Sequence, residues 1–297
     1  MSRVSLRAHA KINLNLRVLT RRPDGFHDID TVVQTITLHD TLTLEEAAGG
    51  LSLELDDPGL PAGPENLVWR AAEELSREWG GSPGHGVRAL LQKRIPAGAG
   101  LGGGSSDAAA ALVGLNRLWG FGLPVRALHP IAALLGSDVP FFLSGGTARL
   151  TGRGTLVEPL PDRLGYSLVL VVPETPIATG EAYARVPAAL TPAAETGRMA
   201  RFRPAQSGPV EEWVRAGNDL EPGAQSLCPA ISEIKDRLLT VGAGAVAMTG
   251  SGSAVFGTFA EKAEADRAVV RIEGRGWRVM RADPISRGEY LRDLGLA

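Results

Sequence analysis

The sequence predicts an α+β protein of two domains, and three observations carry that prediction. The chain opens on a long apolar/polar alternation of period two. A glycine-rich junction then joins a strand to a helix, and the closing third alternates strands with helices after a boundary rich in proline and glycine.

The opening alternation is the clearest of these. Val4, Leu6, Ala8, Ala10, Ile12, Leu14, Leu16 and Val18 are apolar, and Arg3, Ser5, Arg7, His9, Lys11, Asn13, Asn15 and Arg17 lie between them. Such alternation predicts one or two strands with one face buried, and it aims Lys11 and Asn13 the same way off the polar face. Arg21–Gly25 predicts a turn, because proline and glycine supply its backbone angles. Strands are expected over Thr31–Leu44 and Leu51–Leu55, a helix over Asn66–Trp79, and a strand over Val87–Ile95. Ser106–Leu118 predicts a helix capped by Ser105 or Ser106, with Asp107 at its positive end. Pro124–Leu135 predicts another, ending at Gly136.

The stretch Gly154–Gly165 marks a domain boundary, dividing the chain into 1–158 and 159–297. Beyond it come a strand at Tyr166–Val172 and a long loop at Pro187–Pro209. A helix at Pro222–Thr240, strands at Ala245–Thr249 and Ser253–Phe259, a helix at Lys262–Gly274 and a strand at Arg278–Ala282 complete a small α+β sandwich.

Bulk composition bounds the function. A chain of 297 residues, 44% hydrophobic, can bury a full core. Its net charge of −2 gives no electrostatic case for nucleic acid or an acidic membrane. Cys228 is the single cysteine, so no internal disulfide forms, which fits a reducing compartment. No apolar run approaches a membrane span and no signal peptide is read at the start, so a cytoplasmic protein is expected.

Chemistry concentrates in the glycine junction, Pro96-Ala97-Gly98-Ala99-Gly100-Leu101-Gly102-Gly103-Gly104-Ser105-Ser106. Its five glycines let backbone N–H groups approach an anion, and the following helix adds the positive end of its dipole. A phosphate chain is the natural guest. Gly98-x-Gly100-x-x-Gly103 formally matches a dinucleotide fingerprint, but the expected acidic residue on a second strand is not evident. A Walker A loop fails because no lysine follows the last glycine. A merely flexible turn is the bland alternative.

Asp138, in Gly136-Ser137-Asp138-Val139-Pro140-Phe141-Phe142, is a candidate base before an apolar wall that excludes water. Alone it reads as a turn residue, just as Lys11 alone reads as a solvated strand lysine. Together with a phosphate cradle they match phosphoryl transfer to an alcohol, which needs positioning, a cation and a base.

In order along the chain, Ala10-Lys11-Ile12-Asn13-Leu14, the loop Pro96–Ser106 and Thr249-Gly250-Ser251-Gly252-Ser253-Ala254 resemble the three motifs of the galactokinase–homoserine kinase–mevalonate kinase–phosphomevalonate kinase superfamily. Arg21-Arg22-Pro23-Asp24-Gly25-Phe26-His27, Pro64–Val68 and Asn218-Asp219-Leu220-Glu221 resemble the branch acting on a cytidine-diphosphate sugar alcohol in isoprenoid-precursor synthesis. That resemblance implies a two-domain small-molecule kinase fold. Its N-terminal domain would be ribosomal-protein-S5-domain-2-like, and its C-terminal domain a ferredoxin-like sandwich.

The resemblance also implies roles: Asp138 as base, Lys11 orienting the hydroxyl, Asn13 on the substrate, and Phe26 and His27 holding the cytosine. Pro96–Ser106 would wrap the triphosphate of ATP, with Gly250, Ser251 and Gly252 supporting it, Asn66 and Lys93 near adenine, and Ser105 on Mg²⁺. Thr179 and Tyr183 would close over the substrate. Phe26 stands where the family has tyrosine and Gly180 where it has alanine. The small-molecule partner would be met by a monomer or weak homodimer. A mevalonate or homoserine kinase, or a non-catalytic nucleotide-binding protein on the same scaffold, are the competing readings.

Overall fold

The structure is a computed structural model that describes residues 2–79, 86–186, 208–272 and 276–296. Two sheets organise it. The first is six-stranded and begins with β1 (Arg3–Arg21) and β2 (His27–Ala47), an antiparallel pair joined by the expected turn. On its other edge β2 pairs with β4 (Gly86–Gln92) through its C-terminal half and with β5 (Thr147–Gly152) through its N-terminal half. Strand β3 (Leu51–Leu55) runs parallel to β4, and β6 (Leu156–Pro159) extends β5. The second sheet orders β10 (Arg278–Ala282), β7 (Ser167–Val172), β9 (Val255–Phe259) and β8 (Ala245–Met248), each pair antiparallel.

Helices α1 (Leu67–Trp79), α2 (Gly103–Leu118) and α3 (Val125–Leu135) pack on the first sheet. The alanine-rich α2 is buried over most of its length, since Ala108–Ala111 let it lie close to β1 and β2. Later come α4 (Thr179–Ala184), α5 (Val210–Arg215), α6 (Glu221–Leu227), α7 (Ala230–Thr240), α8 (Lys262–Ile272) and α9 (Arg287–Asp293). Helix α9 is capped by Ser286, whose hydroxyl accepts from Glu289 N, and it returns to pack on β1.

Several expectations are corrected. Strand β1 is buried on both faces from Ala8 to Leu16, not on one. Leu6 and Ala8 sit in the core under the helices, whereas Ala10, Ile12 and Leu14 sit in the core between the two sheets. A register shift between His9 and Lys11 separates the two sets, as a bulge does. Helix α2 starts at Gly103 with a left-handed Gly102 before it, so neither serine caps it. The helix expected over 222–240 breaks into α6 and α7 at Cys228-Pro229, where proline lacks the N–H needed to continue α6. Strands β5 and β6 and helices α5 and α9 had not been anticipated. The loop expected at Pro187–Pro209 lies outside the described residues from 187 to 207.

Candidate active site

Among the described residues β2 is the one strand paired along β1, and the two glycine turns dock on the other edge of β1. Lys11 N–H donates to Leu101 O at 3.0 Å, and Asn13 N–H donates to Thr249 Oγ1 at 2.9 Å. The turns also touch one another, Ala254 N–H donating to Ala99 O at 3.2 Å and Thr249 Oγ1 to Gly100 O at 3.3 Å. This close approach needs glycine. At Gly100 φ is +77°, and a Cβ would lie 2.2 Å from Thr249 O. At Gly102 φ is +73°, and a Cβ would lie 2.9 Å from the Phe142 ring and 3.1 Å from Lys11 Cε.

The Asn218–Glu221 segment explains how the second turn is held. Asn218 Nδ2 donates to Met248 O and Gly250 O at 2.9 and 2.8 Å, and Glu221 accepts from Met248 N–H at 3.2 Å. Asp219 meanwhile accepts from Arg17 at 2.6 Å and from Val18 N–H at 3.0 Å. One short segment therefore ties the end of β1 to the turn after β8.

Between these parts lies a cavity of about 1100 Å³. Lys11 and Asp138 meet in it, with Nζ 3.2 Å from Oδ2; the lysine is buried and the carboxylate about one-third exposed. Asn13 Oδ1 accepts from the same ammonium at 2.6 Å, and Asn13 Nδ2 donates to Thr31 Oγ1 at 2.9 Å. The asparagine thus fixes the lysine. Residues Pro96–Ser105 form one wall, with the first N–H groups of α2 unclaimed by helical bonds. Phe26, His27 and Tyr183 give the lining an aromatic end, and Thr179 lines the cavity as well. His27 and Tyr183 stack with ring centres 5.3 Å apart, and Thr179 Oγ1 sits 3.1 Å from Ser251 Oγ. Burial, together with the Coulombic influence of Asp138, pushes the Tyr183 phenol up. Burial, aided by Arg21, holds His27 below its ordinary value, so it faces the cavity as a neutral ring.

Among the expected site residues, Ser106 and Gly252 do not line the cavity. Ser106 is fully buried behind the loop, its hydroxyl without a hydrogen-bond partner, because α2 begins a turn earlier than expected. Gly252 packs against Met248 and Ile177. Asn66 and Lys93 line the wall, yet their polar ends are engaged within the protein. Asn66 donates to Pro61 O and accepts from Val68 N–H, both at 2.9 Å. Lys93 Nζ lies 2.5 Å from Asp40 and 2.7 Å from Asp107. Burial works against the Lys93 ammonium, but the two carboxylates outweigh it and hold its pKa above the ordinary value. Asp107 is pushed up to about 7, first by burial and then by Asp40, against the pull of Lys93.

Arg153 was missed. Its guanidinium lies 3.7 Å over the Phe26 ring, it lines the cavity, and its buried Nε has no hydrogen-bond partner. The available signal was a cation flanked by glycines in Thr151-Gly152-Arg153-Gly154, at the start of the expected domain boundary.

No group of three or more His, Cys, Asp or Glu residues suited to a metal occurs among the described residues. The cavity instead offers the Ser105 hydroxyl beside the loop's N–H groups. Nor is any described helix long and apolar enough to cross a membrane.

A glycine-rich strand-to-helix junction lining one cavity with a lysine–carboxylate pair, on two sheets with helices, is the arrangement of a two-domain α+β small-molecule kinase. The sequence models for the GHMP kinase N-terminal and C-terminal domains match residues 66–146 and 205–276. A Pelotomaculum thermopropionicum protein named 4-diphosphocytidyl-2-C-methyl-D-erythritol kinase is 44% identical over 89% of this chain and 92% of its own. A Moorella thermoacetica protein of the same name is 42% identical over 92% and 96%. A crystal structure of 4-(cytidine 5'-diphospho)-2C-methyl-D-erythritol kinase superposes with TM-score 0.74 at 36% identity, covering 94% of this chain and 99% of that one. A homoserine kinase from Cytophaga hutchinsonii shares the fold at TM-score 0.72 but only 19% identity. The chain belongs to the GHMP kinase family.

Proposed function

We propose that the protein transfers the γ-phosphoryl group of ATP to the 2-hydroxyl of 4-diphosphocytidyl-2-C-methyl-D-erythritol, a step of non-mevalonate isoprenoid-precursor synthesis in the cytoplasm. The observation that carries the chemistry is the 3.2 Å approach of Lys11 Nζ to Asp138 Oδ2 between the glycine loop and the aromatic end of the cavity. Identities of 36–44% to kinases of this name, against 19% and 10% to homoserine and mevalonate kinases, favour this acceptor over theirs.

In this reading Asp138 takes the proton of the acceptor hydroxyl as its oxygen bonds to the γ-phosphorus. The bond from that phosphorus to the β-bridging oxygen breaks, and ADP leaves with the electron pair. Lys11, fixed by Asn13, stands beside Asp138 and steadies the charge that builds on the phosphoryl oxygens. The N–H groups of the loop and of the α2 start hold the triphosphate. The cytosine is held by Phe26 and by neutral His27, backed by Tyr183, and the Arg153 cation answers the negative charge of the diphosphate. Ser105, in the cavity wall, would be the residue that holds Mg²⁺ beside the triphosphate. When bound, that ion would neutralise charge on the triphosphate.

The test is transfer of label from γ-labelled ATP to a panel of the cytidyl erythritol compound, mevalonate and homoserine. Label is expected on the first alone; label on mevalonate or homoserine alone removes the assignment.

A further inference from the structure

We propose that Tyr290, on the C-terminal helix α9, is a positioning residue for the phosphoryl-transfer pair, an inference that rests on Lys11 and Asp138 being that pair. Helix α9 grips both pieces of chain that carry them. Tyr290 is fully buried, and its hydroxyl donates to Phe142 O at 2.5 Å. Phe142 closes the short turn that begins at Asp138: Val139 N–H donates to Gly136 O, and Phe142 N–H to Val139 O at 3.1 Å. The Phe142 ring in turn abuts Gly102, the residue before α2, at the place where Lys11 Cε also arrives.

One turn further along α9, Asp293 Oδ2 lies 2.8 Å from His9 Nε2, while His9 Nδ1 meets Ile36 O at 2.9 Å. His9 is two residues before Lys11 on β1, across a register shift from it, and Lys11 N–H donates to Leu101 O. The Tyr290 ring lies 5.8 Å from the His9 ring, so both grips form one cluster beneath the site. Gly145 admits that ring: a Cβ there would lie 2.0 Å from Tyr290 Cδ1.

The physical consequence concerns geometry more than affinity. The Tyr290–Phe142 bond fixes the height of the Asp138 turn relative to β1, and hence the 3.2 Å gap between carboxylate and ammonium. Neither Tyr290 nor Asp293 lines the cavity. Ground-state binding of either substrate should therefore be spared, while the transition state, which is sensitive to ångström-scale misplacement, is not.

Tyr290→Phe is the variant of choice, because it keeps the ring in the Gly145 notch and removes the hydroxyl alone. We expect kcat to fall about tenfold, with KM for ATP and for the acceptor each within about twofold of wild type, within the loss that misplacement of a reacting group can cause. Asp293→Asn, which weakens the second grip, is expected to lower the same parameter. An unchanged kcat in Tyr290→Phe, with or without a lower melting temperature, overturns the inference, as does a loss confined to KM. Asp138→Asn is measured alongside. Wild-type turnover in that variant removes the reading on which the inference rests, and the inference with it. Lost turnover there with an unchanged Tyr290→Phe removes the inference alone.

Discussion

Asp138 Oδ2 lies 3.2 Å from Lys11 Nζ, and the same ammonium is held by Asn13 Oδ1 at 2.6 Å. In the proposed reaction a lysine so held cannot swing away when the acceptor arrives, and Asp138 keeps a fixed cation beside it. Replacing Asp138 by Asn preserves size and one acceptor but removes the proton-accepting charge. The expected loss is about 10²–10⁴ in kcat, the usual worth of a general base. Affinity for ATP, read by calorimetry, should stay within about threefold, because the glycine loop is untouched. Wild-type turnover would exclude Asp138 from the chemistry.

The aromatic end of the cavity gives a second expectation. Phe26 is half exposed, with Arg153 over one face of its ring, which leaves the other face for a base. Phe26→Ala should weaken binding of the cytidyl substrate by about 1–3 kcal/mol, the scale of base–aromatic stacking. Arg153→Gln should weaken it too, and should flatten its dependence on salt if the guanidinium meets a diphosphate. The two losses should sum to more than the double variant shows, since the side chains touch. Calorimetry on the three variants at two salt concentrations decides this.

These residues also show what was legible in sequence. Lys11 and Asp138 were readable only together with the glycine junction: clustered glycines before a helix mark an anion cradle, whereas a strand lysine and a turn aspartate are each ordinary alone. Arg153 and the Asp40–Lys93–Asp107 cluster were not readable, since nothing local marks a cation that acts through residues far along the chain. Ser106 misled for a related reason. Its sequence position is that of a helix cap, but the left-handed Gly102 starts α2 earlier and turns the serine inward. The double burial of β1 was hidden because the bulge near Ala10 leaves the period-two pattern intact while moving its apolar set from one core to another.

Asp107 supplies a pH dependence. Its folded value is pushed up to about 7 by burial and by Asp40, against an ordinary value of 3.8. Between those two values the folded chain holds a proton that the unfolded chain has released. This group's contribution is therefore fully present below the ordinary value and is lost as pH rises through the folded one. Asp107→Asn cannot titrate. The stability of wild type relative to this variant, from urea unfolding, should decline from about pH 4 to about pH 7 and level off above it. A constant difference across that range would show that Asp107 is ionised in the folded protein throughout.

The contact between the two glycine turns permits a prediction with an internal control. Gly100→Ala adds a Cβ that would lie 2.2 Å from Thr249 O, on backbone with φ at +77°. Gly122→Ala meets the same kind of backbone, φ +64°, with nothing within 4 Å of the new carbon. Left-handed strain costs both variants about 1–2 kcal/mol of stability. Only Gly100→Ala must also push the Thr249–Ser251 turn off the Pro96–Ser105 loop, and that turn is wedged against Asn13, which holds Lys11. KM for ATP should rise at least about tenfold in Gly100→Ala, with kcat falling as well, and both should stay near wild type in Gly122→Ala. If the two variants behaved alike, backbone strain alone would account for the loss, and the docking of one turn on the other would have no part in holding the triphosphate.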